Sequence, residues 1–269
     1  MTEKRKNRGG VVVKLGGSVI TQKSTGRPAV RRGVVGRLAG EMASCGRAPL
    51  IIVHGAGSFG HTIVKKTGID RKIEGMEGLR SWSKAQLVQN DLNLQVTSIL
   101  LKKGIAAFAC QPTGMVVLKA GRVKHLAMPA LRGLVSAGLV PVLFGVPAYD
   151  EERGCTILSG DVLAPALAHH LGIELVVHAT DVDGVFEADP AVNRKAARIP
   201  VVGRKNWRKV RGLLGSSRSI DVTGGMKGKV ASMVTWARKG IKARIVDATV
   251  PGRLKEAIQG KKVGTLIEW

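Results

Sequence analysis

Short apolar runs separated by glycine-rich turns set the pattern of the chain. Val11-Val12-Val13-Lys14-Leu15 and Leu50-Ile51-Ile52-Val53 are nearly continuous β-branched runs, as expected for strands buried on both faces. The first runs into Gly16-Gly17-Ser18, the second into His54-Gly55-Ala56-Gly57-Ser58-Phe59-Gly60-His61. Residues 82–103 carry apolar positions at helical spacing and stop at Gly104. Ile105–Ala109 reads as a short strand. Met115–Leu118 and Arg122–His125 flank Ala120-Gly121 as a hairpin. Met128–Ala137 reads as a helix closed by Gly138, and Leu139–Phe144 as a strand.

The second half repeats the theme. Asp161–Leu171 is a helix behind Ser159-Gly160, capped by Gly172. Glu174–Ala179 is a strand leading into Thr180-Asp181-Val182-Asp183-Gly184-Val185. Residues 190–220 are polar, basic and poorly periodic and read as an irregular excursion. Thr223-Gly224-Gly225 precedes a helix from Met226 to about Lys239. A strand at Ala243–Val246, a short helix at Gly252–Ile258 and a strand at Val263–Glu268 close the chain. Strands alternating with helices predict an α/β fold, with one continuous, mainly parallel open sheet covered on both faces. Residues 1–10 form a basic extension and 11–269 a single domain.

Composition narrows the function. Hydrophobic residues are 44% and charged residues 23% of 269, too apolar for a disordered chain. No apolar stretch approaches the ~18 residues of a membrane helix, and the first ten residues lead into no signal-like apolar region. Cys45, Cys110 and Cys155 are too few for a disulfide framework, so a reducing cytoplasm is expected. No HExxH or CxxC spacing occurs, so no protein-held metal site is assigned. Lys plus Arg is 43 against 19 acids, a net charge of +24, which raises nucleic acid as a partner. The 3% aromatic content argues against a stacking platform for single strands, leaving non-specific attraction.

Four glycine turns carry the candidate chemistry: Gly16-Gly17, Gly55-Ala56-Gly57, Ser159-Gly160-Asp161 and Gly224-Gly225. Glycine lets backbone N–H groups approach a phosphate, and a following helix adds its positive end. Residues 55–60 match the letters GxGxxG, but no ribose-binding acid follows in a βαβ unit, and no Walker loop is present. Lys14 stands in a strand where an apolar residue is the rule, so it must be paired or meet an anion. Lys23, Lys227 and Lys229 flank the turns; the plain alternative for Lys23 and Lys227 is a solvated charge. His61 ends a glycine loop beside backbone donors. His54, at a strand end, reads as structural, with its loop position keeping it a candidate, and His169 and His170 read as structural or surface-exposed. Asp161 either caps its helix or holds lysines in place. Asp181 and Asp183 either line a nucleotide or form an Asp-Gly turn. No GxSxG elbow accompanies Ser18 or Ser58, which disfavours serine hydrolysis.

Taken in order, Lys14-Leu15-Gly16-Gly17-Ser18-Val19-Ile20-Thr21, His54–His61, Ile157–Asp161, Thr180–Val185 and Thr223–Met226 resemble the amino acid kinase superfamily. Within it, KLGGSVIT with GxGSFGH is similar to the isopentenyl phosphate kinases, and His61 is the residue that marks them. The resemblance spans residues 11 to 268. It implies a three-layer sandwich, a homodimer, ATP with Mg²⁺, and transfer of the γ-phosphoryl group to isopentenyl phosphate. An acceptor lobe would occupy about 11–150 and a nucleotide lobe about 151–269. The resemblance makes Lys14, Lys23, His61 and Asp161 catalytic. It gives Ala56, Gly57, Gly60, His61 and Gly160 to the acceptor. It gives Lys14, Gly16, Gly17, Ser18, Gly57, Thr180, Asp181, Asp183, Gly184, Gly225 and Lys229 to ATP. The family's Gly-Asp after the strand ending at Phe144 is Gly145-Val146 here. The segment 62–82, with Ile63, Val64, Ile69, Ile73, Met76, Leu79 and Trp82, suits an apolar tail. Other expected acceptors are a phosphonate such as fosfomycin and a small carboxylate; the other class is a nucleic-acid-binding protein.

Overall fold

The computed structural model describes residues 9–22, 28–46, 50–60, 63, 75–190, 192–193, 195–214 and 225–269. Lys23, His61, Asp221, Thr223 and Gly224, with most of 62–74, lie outside them.

The chain builds β1 (Val11–Leu15), α1 (Gly17–Ile20), α2 (Arg32–Ala43), β2 (Leu50–His54), α3 (Gly75–Lys102), β3 (Ala107–Ala109), β4 (Val116–Lys119) and β5 (Arg122–Leu126). It continues with α4 (Pro129–Ser136), β6 (Val140–Phe144), β7 (Val146–Asp150), β8 (Gly154–Leu158), α5 (Gly160–Leu171) and β9 (Leu175–Thr180). The last third holds β10 (Val185–Phe186), β11 (Arg198–Ile199), β12 (Val201–Val202), α6 (Trp207–Leu213), α7 (Gly225–Ala237), β13 (Lys242–Asp247), α8 (Arg253–Ile258) and β14 (Thr265–Ile267).

Eight strands form the central sheet in the order β12-β14-β13-β9-β1-β2-β6-β3. All neighbours run parallel except β13 and β14. The chain moves from β1 outward to β2 on one side and later to β9 and β13 on the other. The reversal opens a crevice at the carboxyl ends of β1 and β9, where open α/β sheets bind ligands.

Period-two alternation sorts the strand side chains. Val11, Val13 and Leu15 face α2, α3 and α8 with Val35, Leu38, Leu92, Val96 and Leu254. Val12 and, from β2, Ile51 and Val53 face α5 with Leu163 and Leu167. Lys14 and, on β9, His178 share that second face, and they are register partners. His54 follows Ile52 onto the α3 face. A third cluster joins α7 to β13 through Val230, Val234 and Ile245. Each Val or Leu buried here contributes about 1.5–3 kcal/mol.

The mainly parallel sandwich agrees with the sequence pattern. The single continuous sheet does not: β5-β4-β7-β8 form a separate four-stranded sheet and β10-β11 a two-stranded one. The hairpin β7–β8 lay unread because Pro147 and Gly154 interrupt the apolar alternation. Helix α2 also lay unread behind its glycines, although Val35, Leu38, Ala39 and Met42 keep the 3.6-residue period and are buried. The 190–220 excursion contains β11, β12 and α6; strands of two residues are too short to show a period. Helix α3 begins at Gly75 rather than 82.

Candidate functional site

The β1–α1 turn and the β2 turn meet face to face. Gly16 N–H donates to Ala179 O at 2.7 Å, and Gly55 N–H to Leu15 O at 2.9 Å, so both turns are tied to strand ends. A Cβ on Gly17 would overlap the Gly57 backbone, and one on Gly55 would stand 2.9 Å from Gly17 N. Gly57 itself has φ +51°, where a side chain is strained. Thr21 locks the pair: its buried hydroxyl donates to Gly17 O at 2.7 Å and accepts from Ser58 N at 3.0 Å. Sequence reasoning passed over Thr21; a threonine closing a glycine loop was the available signal. Gly16, Gly17, Ser18, Ala56, Gly57 and Gly60 thus belong to two apposed loops, each opening a helical turn whose first N–H groups lack intrahelical acceptors.

Lys14 reaches from β1 to α5. Its Nζ lies 2.9 Å from Asp161 Oδ1, with the two side chains only 12% and 16% exposed. Asp161 is also a first-turn residue of α5, and its N–H donates to Ser159 Oγ at 3.2 Å. The N-cap is therefore Ser159, and the Asp161 carboxylate is free to hold the lysine. Burial pushes the Asp161 carboxyl up, but the Lys14 ammonium and His178 together outweigh it and hold it well below the usual carboxylate range. Gly160 fits closely above this pair: a Cβ there would sit 3.2 Å from His54 O and 3.6 Å from Lys14 Cε.

Lys14, Asp161, His178, Thr180, Met226 and Lys229 line one cavity at the carboxyl ends of β1 and β9. Gly225 opens the helix that brings Lys229 there. Three expected lysine and acid positions, Lys14, Asp161 and Lys229, are therefore brought together. His178 joins them unforeseen; its signal was an even strand position shared with Lys14.

The Asp181–Gly184 turn is built differently from the cavity. Asp183 sits between Arg198 at 3.7 Å and Arg253 at 4.0 Å and accepts from Asp247 N. Gly184 has φ +116°, and a Cβ there would stand 2.9 Å from Thr265 N. Val185 N–H donates to Thr265 Oγ1 at 2.8 Å, fastening the turn to β14. Thr180 faces the cavity, and its Oγ1 accepts from Val182 N at 3.2 Å.

His54 is structural, as expected. It is fully buried, stacks on Phe144 at 5.4 Å between ring centroids, and lies 3.1 Å from Asn93 Nδ2 through Nε2. Burial, helped by the Lys14 charge, pushes its pKa down to about 4. Gly145 N–H donates to His54 O at 3.0 Å, and a Cβ on Gly145 would stand 3.1 Å from Leu158 O. Val146, where an acid was expected by resemblance, is buried as the first residue of β7, paired with Leu158.

Glycine loops and a cavity lined by two lysines at the carboxyl ends of parallel strands are the arrangement in which open α/β folds hold phosphate groups. The profile of the amino acid kinase family matches residues 10–247. The isopentenyl phosphate kinase of Methanothermobacter thermautotrophicus is 36% identical over 264 residues, covering 96% of this chain and 98% of that one. The isopentenyl phosphate kinase of Arabidopsis thaliana is 30% identical, over 86% and 76% of the two chains. A solved structure of isopentenyl phosphate kinase superposes with a TM-score of 0.82 at 33% identity, covering 96% of this chain and 99% of that one. The chain belongs to the amino acid kinase family.

Proposed function

We infer that the chain is an ATP-dependent phosphotransferase that converts isopentenyl phosphate to isopentenyl diphosphate and ADP. The near full-length similarity to isopentenyl phosphate kinases carries this reading, and the ion-paired Lys14 at the mouth of the glycine loops is its structural support.

Phosphoryl transfer asks little covalent work of the protein; it asks for in-line placement and neutralised charge. Lys14, oriented by Asp161, and Lys229 both supply cations to the cavity. The Gly16-Gly17-Ser18 and Ala56–Gly60 loops supply N–H donors, the first toward ATP and the second toward the acceptor phosphate. Lys23 stabilises the transferring group and His61 grips the acceptor phosphate. The acceptor is already ionised near neutral pH, so no strong general base is needed. Thr180, Asp181, Asp183 and Gly184 border the nucleotide, and Gly160 the acceptor. Mg²⁺ would neutralise the polyphosphate. Among the described residues Asp161 is the single carboxylate lining the cavity and is committed to Lys14, so phosphate oxygens and water make the fitting ligand set for that ion.

The acceptor lobe occupies about 11–150 and the nucleotide lobe about 151–269. The enzyme works as a homodimer. Helix α3 supports this: Leu87, Leu94 and Leu101 recur every seven residues, 64%, 61% and 53% exposed, opposite its buried face. The free thiols of Cys45, Cys110 and Cys155 suit a reducing cytoplasm. No described helix is long and apolar enough to cross a membrane.

The test is a panel of isopentenyl phosphate, fosfomycin and small carboxylates with ATP and Mg²⁺. Isopentenyl diphosphate should form fastest; robust turnover of another acceptor with none of this one overturns the reading. His61→Ala should lose most activity while ATP binding persists, and equal activity would remove His61 from the acceptor site.

A further inference from the structure

His178 has a place in the cavity that neither the motifs nor the family resemblance assigns. It is 3% exposed on β9, in register with Lys14 on one neighbour and Ile245 on the other. Its Nδ1 lies 3.5 Å from Asp161 Oδ1, the same oxygen that meets Lys14 Nζ. Neither ring nitrogen has a well-formed hydrogen bond within the protein. A buried imidazole left this way is costly unless it serves the site.

The local charges decide its protonation. Burial drives the imidazole toward neutral, and the Lys14 and Lys229 cations push the same way; the Asp161 carboxylate opposes them and is outweighed. Asp161 stays ionised, so a bare Nδ1 would set lone pair against lone pair. The neutral ring must therefore carry its proton on Nδ1 and point it at Asp161. At 3.5 Å this bond is long, as hydrogen bonds around a phosphoryl-transfer centre are before ligand draws them in.

We propose that His178 is a positioning residue, whose Nδ1–H holds the Asp161 carboxylate in the orientation that aims Lys14 at the phosphates. Asp161 alone has one rotatable arm between a helix terminus and a strand lysine. With His178 it is gripped from β1 and β9 at once, the two strands that border the crevice. The side chains of Met226, Met233 and Ile245 line the same cavity beside the ring and the carboxylate. This role rests on the phosphotransferase reading but not on which acceptor is used.

The experiment compares the full chain with His178→Asn, His178→Gln and His178→Leu. The Asn amide nitrogen falls near Nδ1 and keeps the donor; the longer Gln places its amide near Nε2 and does not. Leu has no donor. Expected is a kcat lower by about tenfold to a hundredfold in Leu and Gln, with KM for isopentenyl phosphate unchanged. The Asn variant should recover kcat to within about threefold of the parent. ATP binding by calorimetry, which needs no acceptor, should follow the same order. That arm separates failure of this role from failure of the acceptor assignment. Leu at parental kcat and ATP affinity overturns the role. So does an Asn variant as impaired as Gln, which marks plain packing. Should the Leu variant not fold, the Asn and Gln pair decides alone.

Discussion

Lys14 Nζ and Asp161 Oδ1 stand 2.9 Å apart, joining the middle strand of the sheet to the first turn of the helix that covers it. Neither charge is well solvated, so each is the other's chief compensation. Replacing Asp161 with Ala leaves a buried ammonium and should lower stability by about 3 kcal/mol. Adding Lys14→Met to that variant should return much of the loss, because no uncompensated charge remains. Urea midpoints of the two single variants and the double variant check this; strict additivity would show that the pair is not coupled. Activity should fall in all three.

Gly17 and Gly57 touch backbone to backbone beneath Thr21. Gly17→Ala forces a methyl into that contact and should cost about 1–3 kcal/mol. ATP affinity should fall with it, because the loop amides are pushed apart. Gly33→Ala is the control: open space surrounds it on α2, and thermal stability should be unchanged or slightly higher. Melting curves and calorimetric titration of the two variants read the outcome.

His54 sets a pH dependence. Its pKa is about 4 in the fold against 6.5 for the free side chain, so the unfolded state binds its proton first as pH falls. Stability is therefore full above about pH 6.5, is lost as pH falls toward 4, and is flat in this residue below that. The loss amounts to about 3 kcal/mol. His178 is shifted in the same direction and adds to the slope. Chemical denaturation between pH 7 and 4 should show a shallower decline for His54→Gln than for the parent; equal slopes would remove His54 as a source.

The exposed leucines of α3 should matter to assembly. Leu87→Glu with Leu94→Glu places two charges on the stripe opposite the core face. Light scattering should then give a monomer mass where the parent gives a dimer, with the helix content unchanged by circular dichroism. A parent that is already monomeric, or a variant that stays dimeric, moves the interface elsewhere.

Much of this was legible along the chain. The β-branched runs at 11–15 and 50–53 read as double-faced strands, and the glycine turns after them marked the carboxyl ends of those strands. Lys14 announced a partner because an unpaired ammonium in a buried strand is too costly to persist. The helix of residues 160–171 was bounded by Ser159 before it and Gly172 after it, and both serve as caps. The β7–β8 hairpin, β12 and α6 were not legible, since their hydrophobic patterns are short or broken.

The sequence alone determined the strand and helix alternation, the places of the glycine loops and the family, because periodicity, glycine placement and motif order are local properties. The tertiary structure alone decided that Asp161 answers Lys14, that Thr21 clamps two loops, and that His178 reaches the same carboxylate. Those partners come from strands and helices far apart in the chain, and only the register of β1 against β2 and β9 brings them within bonding distance. It also placed Asp183 between two arginines rather than in the cavity with Lys14, a pairing that no spacing in the chain encodes.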